Sequence, residues 1–538
     1  MRGSPRIRLG EHGGTLMAGS MLRGFVALCV LVAAAPCAMG AAASEHVRYR
    51  GTIVVSILGD PTRTGGFDRL VEAYNRFQPD VTVKIEVKGG GLGAGYPTWL
   101  NTQLASGDPR PDLVSGNYSP TYARYVNFDY YRYCTNPYTG NRWDQDLNFD
   151  FSPSRNNLGV RMMLPTQAVH IQWFYNVDVF ERLGLSIPKT WDEFLEVCAK
   201  AQEAGYIPTT LRFDFRYHQW LQEILWDQYA RPQFQIVHAR PGDWCFNPEV
   251  DRDWEYDPSD PMNDAIATMN QMRFYKAIHE GTIRYDTPEV IRLLKNMKAI
   301  AQYGPSDFLV EQAGTAGDPY SLFLRQEAVM HLDGTWVLPQ IEKDMSELGD
   351  PSANGAAGAG LEPFRWGVFD PPPQVNPLVM APVRSIESSS GEYISVIDKN
   401  QPQTDMVLDF VMFWLSAPGY QAYVDGQVEA NEFIPTGKIM VRDVRMPEKF
   451  ERLFAGVNMV GNAEIVLNQF LAFAPAGSRL TQDGRQTLVD YIQGRIEVDE
   501  AVGRIQTMVV AAVEESMARN NLPMALLDHP EADPSQFR

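Results

Sequence analysis

The chain has 538 residues, of which 44% are hydrophobic, and a formal net charge of −19 at pH 7. This length exceeds what one ordinary core supports, so we expect at least two lobes, and the hydrophobic fraction excludes a disordered or fibrous chain. The negative charge argues against nucleic acid as a partner, because binding phosphates needs a basic face.

The first 43 residues have the form of a leader. Arg23 precedes an uncharged stretch, Gly24 to Ala43, that is firmly apolar only from Phe25 to Ala35. This pattern is typical of a cleaved secretory signal, whereas a membrane anchor needs about 20 strongly apolar residues. We therefore expect residues 1–43 to be a signal peptide and leader, and the mature chain to be periplasmic or extracellular. A lipid anchor is not favoured, because neither cysteine in the leader follows the small residue that usually precedes a lipidated one.

The mature chain opens with a predicted strand, helix and strand. Thr52 to Leu58 is a short, β-rich apolar run, apolar residues recur at helical spacing from Phe67 to Phe77, and Val81 to Val87 alternates as a strand does. Such a unit implies a parallel pair with a right-handed crossover, hence an α/β lobe. A helix around Thr98 to Leu104 and a short strand near Asp112 to Val114 continue it.

An irregular, aromatic-rich segment and three helices follow. Residues 115–157 are too aromatic for disorder, and long irregular segments inside compact domains are usually functional. The Thr-Trp-Asp-Glu motif at 190–193 is a capping box that begins a helix ending at Gly205. Met406 to Trp414 predicts a second amphipathic helix, stopped by the Ala-Pro-Gly at 417–419, and residues 502–513 predict a third.

Three cysteines remain after the leader: Cys134, Cys198 and Cys245. An oxidising compartment permits a disulfide. Cys198 lies on the apolar face of the capped helix, where we expect it in the core. Cys134 and Cys245 lie in irregular stretches, and the sequence leaves open whether they pair.

Residues 173–208 carry the most specific motif. They read WFYNVDVFERLGLSIPKTWDEFLEVCAKAQEAGYIP: a Tyr-Asn, a short helix ending Leu-Gly-Leu, then Pro-x-Thr-Trp-Asp-Glu-Phe and a helix ending Gly-x-x-Pro. This segment resembles the central signature of the extracellular solute-binding proteins of family 1, the sugar-binding group of ABC importers. Further resemblances follow in the family's order at residues 67–87, 104–114, 323–336, 434–436 and 491–494, so the resemblance spans nearly the whole mature chain.

The resemblance implies an α/β, two-lobe periplasmic binding protein fold (type II-like), with the lobes joined by a multi-strand hinge and a ligand cleft between them. The hinge crossings fall near Ala168, near residues 368–370 and after Trp414. The first lobe would combine residues 45–168 with 371–415, and the second 169–370 with 416–538. The chain is longer than a typical member, and we expect the surplus in 115–157 and 231–262.

The function implied by the resemblance is capture of a carbohydrate by closure of the two lobes, followed by delivery to the membrane permease of an ABC importer. An oligosaccharide is favoured over a monosaccharide, because the extra aromatic segments could extend the stacking surface. We expect a monomer and no enzymatic activity.

A sugar site combines hydrogen-bonding side chains with flat aromatics. Trp336 is the first candidate, because it aligns with a Gly-x-Trp where this family often stacks a sugar ring; the alternative is a core tryptophan. Asp60 follows the first strand at the edge where α/β sheets bind ligands, although plain turn chemistry explains it equally well. Asn117 and Tyr118 occupy the corresponding loop after a later strand.

Five further candidates lie on the second lobe or at its border. Asp214, Arg216 and Trp220 belong to an alternating run, FDFRYHQW, that either lines the cleft or forms a surface strand. Trp244 either contacts the ligand or packs the extra segment. Asp370 follows the second predicted crossing, and the three prolines after it are expected to stiffen the hinge.

Motifs for other chemistry are missing from the sequence. It contains no Walker loop, dinucleotide fingerprint, zinc-binding helix or Gly-x-Ser-x-Gly elbow, so we expect no cofactor, metal or catalytic residue. Two acids suffice for a glycosidase, so a secreted carbohydrate-active enzyme stays as an alternative. A polyol phosphate, a peptide or a polyamine is the alternative ligand. A phosphate would favour a cleft with several Arg or Lys, whereas the candidate loops mix acids, amides and aromatics, which favours a neutral polyol.

Overall fold

The computed structural model describes residues 47–59, 62–88, 95–115, 125–149, 161–248, 250–309, 319–348, 362–388, 393–464, 468 and 479–537. The predicted leader lies outside them. The strands are β1 Gly51–Leu58, β2 Val81–Lys88, β3 Leu113–Ser115, β4 Leu164–Pro165, β5 Gln167–Asn176, β6 Ile207–Thr209, β7 Ala328–Gly334, β8 Trp366–Phe369, β9 Glu387–Ser388, β10 Tyr393–Val396 and β11 Lys438–Ile439.

The helices alternate with these strands. They are α1 Gly65–Asn75, α2 Gly95–Ala105, α3 Trp143–Asp146, α4 Val177–Leu183, α5 Trp191–Glu203, α6 Gln222–Ala230, α7 Phe234–Val237, α8 Asn263–Ile266, α9 Gln271–His279, α10 Pro288–Ala301, α11 Pro319–Leu324, α12 Val337–Glu347, α13 Gln401–Trp414, α14 Ala417–Glu429, α15 Glu448–Phe454, α16 Arg479–Ile492 and α17 Val498–Arg519. Short 3-10 turns cover Phe128–Tyr130, Arg231–Gln233, Met524–Asp528 and Pro534–Phe537, and a π-helical turn covers Arg216–Leu221.

Two sheets organise the fold. The first has the order β2-β1-β3-β10-β4, with β1 parallel to both β2 and β3 and with β10 antiparallel to its neighbours. In the second, β5 is the shared strand: β7, β8, β9 and β11 all pair with it antiparallel, and β6 runs parallel to β7. The sequence therefore predicted the α/β class and the opening parallel unit correctly.

Each sheet has its own hydrophobic core. The first core takes buried residues from 53–168 and 394–450, and the second takes them from 169–386 and 463–527. The strand β5 starts in the first core at Ala168 and continues in the second from Val169, so one continuous strand joins the two. A third, smaller cluster packs the start of α12 against Phe454 and Val457.

The packing differs from the predicted division between lobes at two places. Ile386 packs in the second core, although residues 371–415 were assigned to the first lobe. The helix α14, assigned to the second lobe, packs on α1 in the first core. Its backbone approaches α1 so closely that a Cβ on Gly426 would lie 2.3 Å from the Gly65 carbonyl oxygen. Two glycines at a helix crossing are therefore what brings this segment back to the first sheet.

Local sequence signals were right about most elements, and the structure adds to them at two places. Thr190 caps α5, as expected, by accepting a hydrogen bond from the Glu193 amide at 3.2 Å. The Ala-Pro-Gly at 417–419 begins α14 instead of only stopping α13, because proline fits the first turn of a helix. The alternating run at 213–220 is not a surface strand: it is a helical turn leading into α6, whose apolar residues continue at 221, 224 and 225.

Two further features of the described structure concern a possible disulfide and the length of the helices. No disulfide joins the described cysteines: Cys198 is buried in the second core, Cys134 in the first, and Cys245 is half-buried. Throughout the described ranges, the helices are too short or too polar to cross a membrane.

Candidate functional site

A cavity of about 890 Å³ lies between elements that belong to the two cores. One wall is α12 together with Trp336, which packs against the second core. The opposite wall carries Phe433 and Phe450, both buried in the first core, and Ile434 between the two walls is half exposed. The volume falls in the upper part of the range typical of small-molecule sites.

A second, smaller cavity of about 170 Å³ extends this space to the first sheet. It is lined by Leu58 at the end of β1 and Ser115 at the end of β3. Arg63 and Ile434 line both cavities. The carboxyl ends of parallel strands are where α/β sheets bind ligands, so the two cavities together connect that edge with Trp336.

Trp336 owes its position to the end of β7. The strand ends at Gly334, and Trp336 is the N-cap of α12. A Cβ on Gly334 would lie 2.4 Å from the Trp336 ring, so only glycine lets the indole pack against this backbone. The ring centroid lies 5.7 Å from that of Trp220, with a tilt of 55° between the planes. Two of the predicted site residues are thus brought together beside the cavity.

An ion-pair network continues from this aromatic pair. Arg216 donates from Nη2 to Asp333 Oδ2 at 2.8 Å and from Nη1 to Asp214 Oδ2 at 3.2 Å. Burial opposes the charge of Asp333, yet the hydrogen bond from His331 and the charge of Arg216 hold its pKa below the ordinary value. Burial raises the pKa of Asp214 despite the same guanidinium. Arg216 is therefore committed to two carboxylates and positions the turn that carries Trp220.

Asp370 directly follows β8 and does not line the large cavity. Its Oδ1 is 2.8 Å from Nε2 of the buried His170 on β5, whose Nδ1 is 3.3 Å from Glu387 Oε1. Burial opposes a charge on His170, but the two carboxylates outweigh it and raise the pKa of the imidazole. With the three prolines that follow it, Asp370 lines a separate cavity of about 390 Å³.

Of the remaining candidates only Trp244 lies within the described residues, and it does not line the large cavity. Trp244 lies in the extra segment, where its backbone amide donates to the Glu531 carbonyl oxygen at 2.9 Å. Asp60, Asn117 and Tyr118 lie outside the described residues.

The sequence analysis missed the charged lining of the large cavity. Lys343 is seven residues after Trp336 on α12, so the helical period alone places both on one face, and that signal was available. Lys449 and Arg452 on α15 had no such signal, because nothing local indicates that α15 faces α12. In the part of the chain that the structure describes, no three His, Cys, Asp or Glu side chains are arranged to hold a metal ion.

The two sheets, the strand that joins them and the cavity between their cores define a two-lobe binding protein. The chain belongs to the bacterial extracellular solute-binding protein family, whose model matches residues 60–421. Members of this family are binding proteins and not enzymes. The search of curated proteins found no match.

Solved structures share this fold. A family 1 extracellular solute-binding protein from Bifidobacterium longum subsp. infantis superimposes with a TM-score of 0.54 at 16% identity, covering 86% of this chain and 100% of that one. The cyclic alpha-maltosyl-1,6-maltose binding protein from Arthrobacter globiformis gives 0.53 at 15% identity, covering 87% and 100%. A chitin oligosaccharide binding protein gives 0.50 at 15% identity, covering 86% and 99%. At these identities the likeness shows the two-lobe fold.

Proposed function

We propose that this protein captures a carbohydrate, specifically an oligosaccharide, in the cavity beside Trp336 and delivers it to the permease of an ABC importer. The single observation that carries the proposal is an indole at the wall of an interlobe cavity of about 890 Å³, with a second indole packed beside it. Sugar rings present apolar C–H faces that stack on such flat surfaces.

The size of the site and the relatives favour more than one sugar ring. The large cavity continues through Arg63 and Ile434 into the smaller one, so the lined space is elongated. Two of the similar structures are, in the words that name them, binding proteins for a cyclic maltosyl-maltose and for chitin oligosaccharide. Capture takes place outside the cytoplasm, with residues 1–43 serving as the export signal.

The mechanism is closure of the two lobes around the ligand. The strand β5 is the continuous link, so bending at its start changes the gap between Trp336 and the first-core residue Phe433, which both line the cavity. A ligand that contacts both walls only when they are close binds the closed state more tightly and shifts the population toward it. The packing favours a first lobe of residues 47–168 with 393–450 and a second of 169–388 with 454–537.

The test is thermal unfolding of the mature chain with a panel of sugars, polyols, amino acids and polyamines. A ligand at about 100 times its Kd adds roughly 2.7 kcal/mol to the folded state. We expect a carbohydrate to raise the Tm and to be recovered chemically unchanged. Consumption of the sugar would overturn the proposal in favour of an enzyme.

The matched variants are Trp336→Ala and Trp366→Ala. Both indoles are half-buried and pack against the same small cluster, but only Trp336 lines the cavity. We expect Trp336→Ala to weaken sugar binding at least about tenfold, which is about 1.4 kcal/mol, and Trp366→Ala to leave the Kd within about twofold. Equal losses in both variants would place the sugar elsewhere.

A further inference from the structure

The large cavity has a charge opposite to that of the whole protein. The sequence carries 66 acidic against 47 basic residues. Among the described residues, the lining of the cavity contains four cations, Arg63, Lys343, Lys449 and Arg452, against one acid, Glu342, and the adjoining smaller cavity adds Glu432.

These cations come from separate segments that converge on one volume. Lys343 projects from the same helix as Glu342, one turn after Pro339, and α12 forms one wall. Lys449 and Arg452 are three residues apart on α15, so they lie on one face of the opposite wall. Arg63, just before α1, lies where the large cavity meets the smaller one. Positive charge therefore surrounds the space beside Trp336 from both walls.

The carboxylates already near these groups hold them weakly. Arg452 Nη1 lies 3.1 Å from Glu448 Oε1, and Lys343 Nζ lies 3.9 Å from Glu347 Oε1. Both are exposed pairs one turn apart on a helix, a type that contributes little to stability and is screened by salt. Around the Lys449 ammonium, which lies over the Phe450 ring at 4.5 Å, the described residues place no carboxylate within 4 Å.

We propose that the carbohydrate taken by this cavity carries a negative charge: it is a sugar acid or a sugar phosphate whose oxyanion is held by Lys343, Lys449 and Arg452 while a sugar ring stacks on Trp336. The proposal rests on the proposed function and names its ligand class. It also departs from the neutral polyol that the candidate loops predicted, because those loops did not include the cations of α12 and α15.

Closure of the lobes strengthens such binding. Because α12 already packs against Phe454 at the end of α15, Lys343, Lys449 and Arg452 lie around the cavity before closure, and closure removes water from the space that they line. Removing water from the gap raises the strength of each charge-assisted hydrogen bond. The charged group thus adds to the difference in affinity between closed and open states that drives closure.

The experiment uses matched sugars and matched variants of the mature chain. The sugars are glucose, glucuronate and glucose 6-phosphate, and trigalacturonate with its neutral trimethyl ester. The test variant is K343Q/K449Q/R452Q. The control is K276Q/R504Q, which removes two exposed helical cations that also pair with a glutamate one turn away, Lys276 with Glu280 at 3.2 Å and Arg504 with Glu500 at 2.6 Å.

We expect an acidic sugar to raise the Tm while its neutral counterpart at the same concentration does not. The triple variant should weaken that binding at least tenfold, and the control variant should leave it within twofold. A response to glucuronate or trigalacturonate identifies a carboxylate ligand, and a response to glucose 6-phosphate alone identifies a phosphate.

Two outcomes would overturn the charge proposal. Equal binding of the neutral and acidic members, or full binding of the acidic sugar by the triple variant, removes the charge requirement and leaves the carbohydrate function intact. If no sugar in this set or in the wider panel raises the Tm, both proposals are overturned together.

Discussion

One buried network in each core holds its polar groups in a different way. In the first core the carboxylate of Asp409 accepts hydrogen bonds from neutral donors: Tyr74 at 2.8 Å, Tyr138 at 2.7 Å and Gln78 at 3.3 Å. In the second core the network around Arg384 is ionic. Arg384 donates to Asp227 at 2.7 Å and to Asp264 at 2.6 Å, and all three side chains are at most 1% exposed.

This difference predicts unequal sensitivity to substitution. A carboxylate with several neutral donors keeps the others when one is lost. Removal of an arginine that two carboxylates share leaves both of them without their common cation. A buried charge without a partner is costly. The Arg384 network of the second core therefore depends on single residues more than the Asp409 network of the first core does.

The largest expected effect is that of Arg384→Met. Removing the guanidinium leaves Asp264 without it and Asp227 with only Arg231 and Asn468, so the free energy of unfolding should fall by about 3–5 kcal/mol. Urea denaturation followed by tryptophan fluorescence measures the change. Arg504→Met, at an exposed helical arginine, is the control and should stay within about 0.5 kcal/mol. Similar losses in both variants would contradict the role of the buried network.

Lowering the pH should also destabilise the second core before the first. Burial and the nearby Arg485 lower the pKa of His218 to about 4, so the folded imidazole stays neutral. The unfolded histidine takes up its proton below about pH 6.5. As the pH falls from about 6.5 to about 4, the unfolded state therefore binds more protons, and the free energy of unfolding should fall by about 3 kcal/mol.

Hydrogen exchange at pH 7 and pH 4.5 checks this prediction core by core. Within the described ranges, the first core contains no histidine, so its amides should keep their protection while those of α5 and α6 lose it. In the variant His218→Gln, the free energy of unfolding should depend less on pH between about 6.5 and about 4. Equal loss of protection in both cores at pH 4.5 would contradict the assignment to His218.

The elements of the first core were readable from the sequence, because they are built from local signals. The alternation in β2 and the helical period in α1 each lie within a single element, and the cap at Thr190 in the second core is equally local. The placement of α14 was not readable, because the close approach of Gly426 to Gly65 joins residues far apart in the chain. A periodic pattern shows that a helix has an apolar face and does not show which core receives it.

In the candidate site, too, local signals predicted some residues, whereas contacts between distant parts of the chain place the others. Trp336 was predicted because a family motif marks it, and Trp220 because it lies in an alternating polar and aromatic run. Lys449 and Arg452 were not predicted, since nothing local shows that α15 lines the cavity. Asp370 was predicted for its place at an expected crossing, and its carboxylate contacts His170, a partner 200 residues away.

A smaller effect is expected in the first core. Tyr74→Phe removes one of the hydrogen bonds to Asp409, so the free energy of unfolding should fall by about 1.5 kcal/mol. Tyr138→Phe should cost a similar amount. Tyr130→Phe, at a side chain that is 68% exposed, is the control and should be near neutral. Urea denaturation of the three variants gives the comparison, and a loss in Tyr74→Phe as large as that in Arg384→Met would remove the contrast between the cores.

The smallest effect is expected at the strand that joins the cores. The imidazole of His170 on β5 faces the carboxylates of Asp370 and Glu387, and the backbone amide of His170 donates to the hydroxyl of Thr335. Because its folded pKa is raised, the folded state holds the proton more tightly than the unfolded state does. The stability this contributes is fully present below about pH 6.5 and is lost as the pH rises through the folded pKa.

The test compares wild type with His170→Gln in urea at pH 6, 7, 8 and 9. The wild type should lose stability across this range, and the variant, which has no proton to release, should lose less. Parallel profiles would mean that His170 does not titrate in this range in the folded protein. A difference confined to alkaline pH would separate the hinge from the second core, where His218 acts on the acid side, and would show that the two histidines set opposite slopes on either side of neutrality.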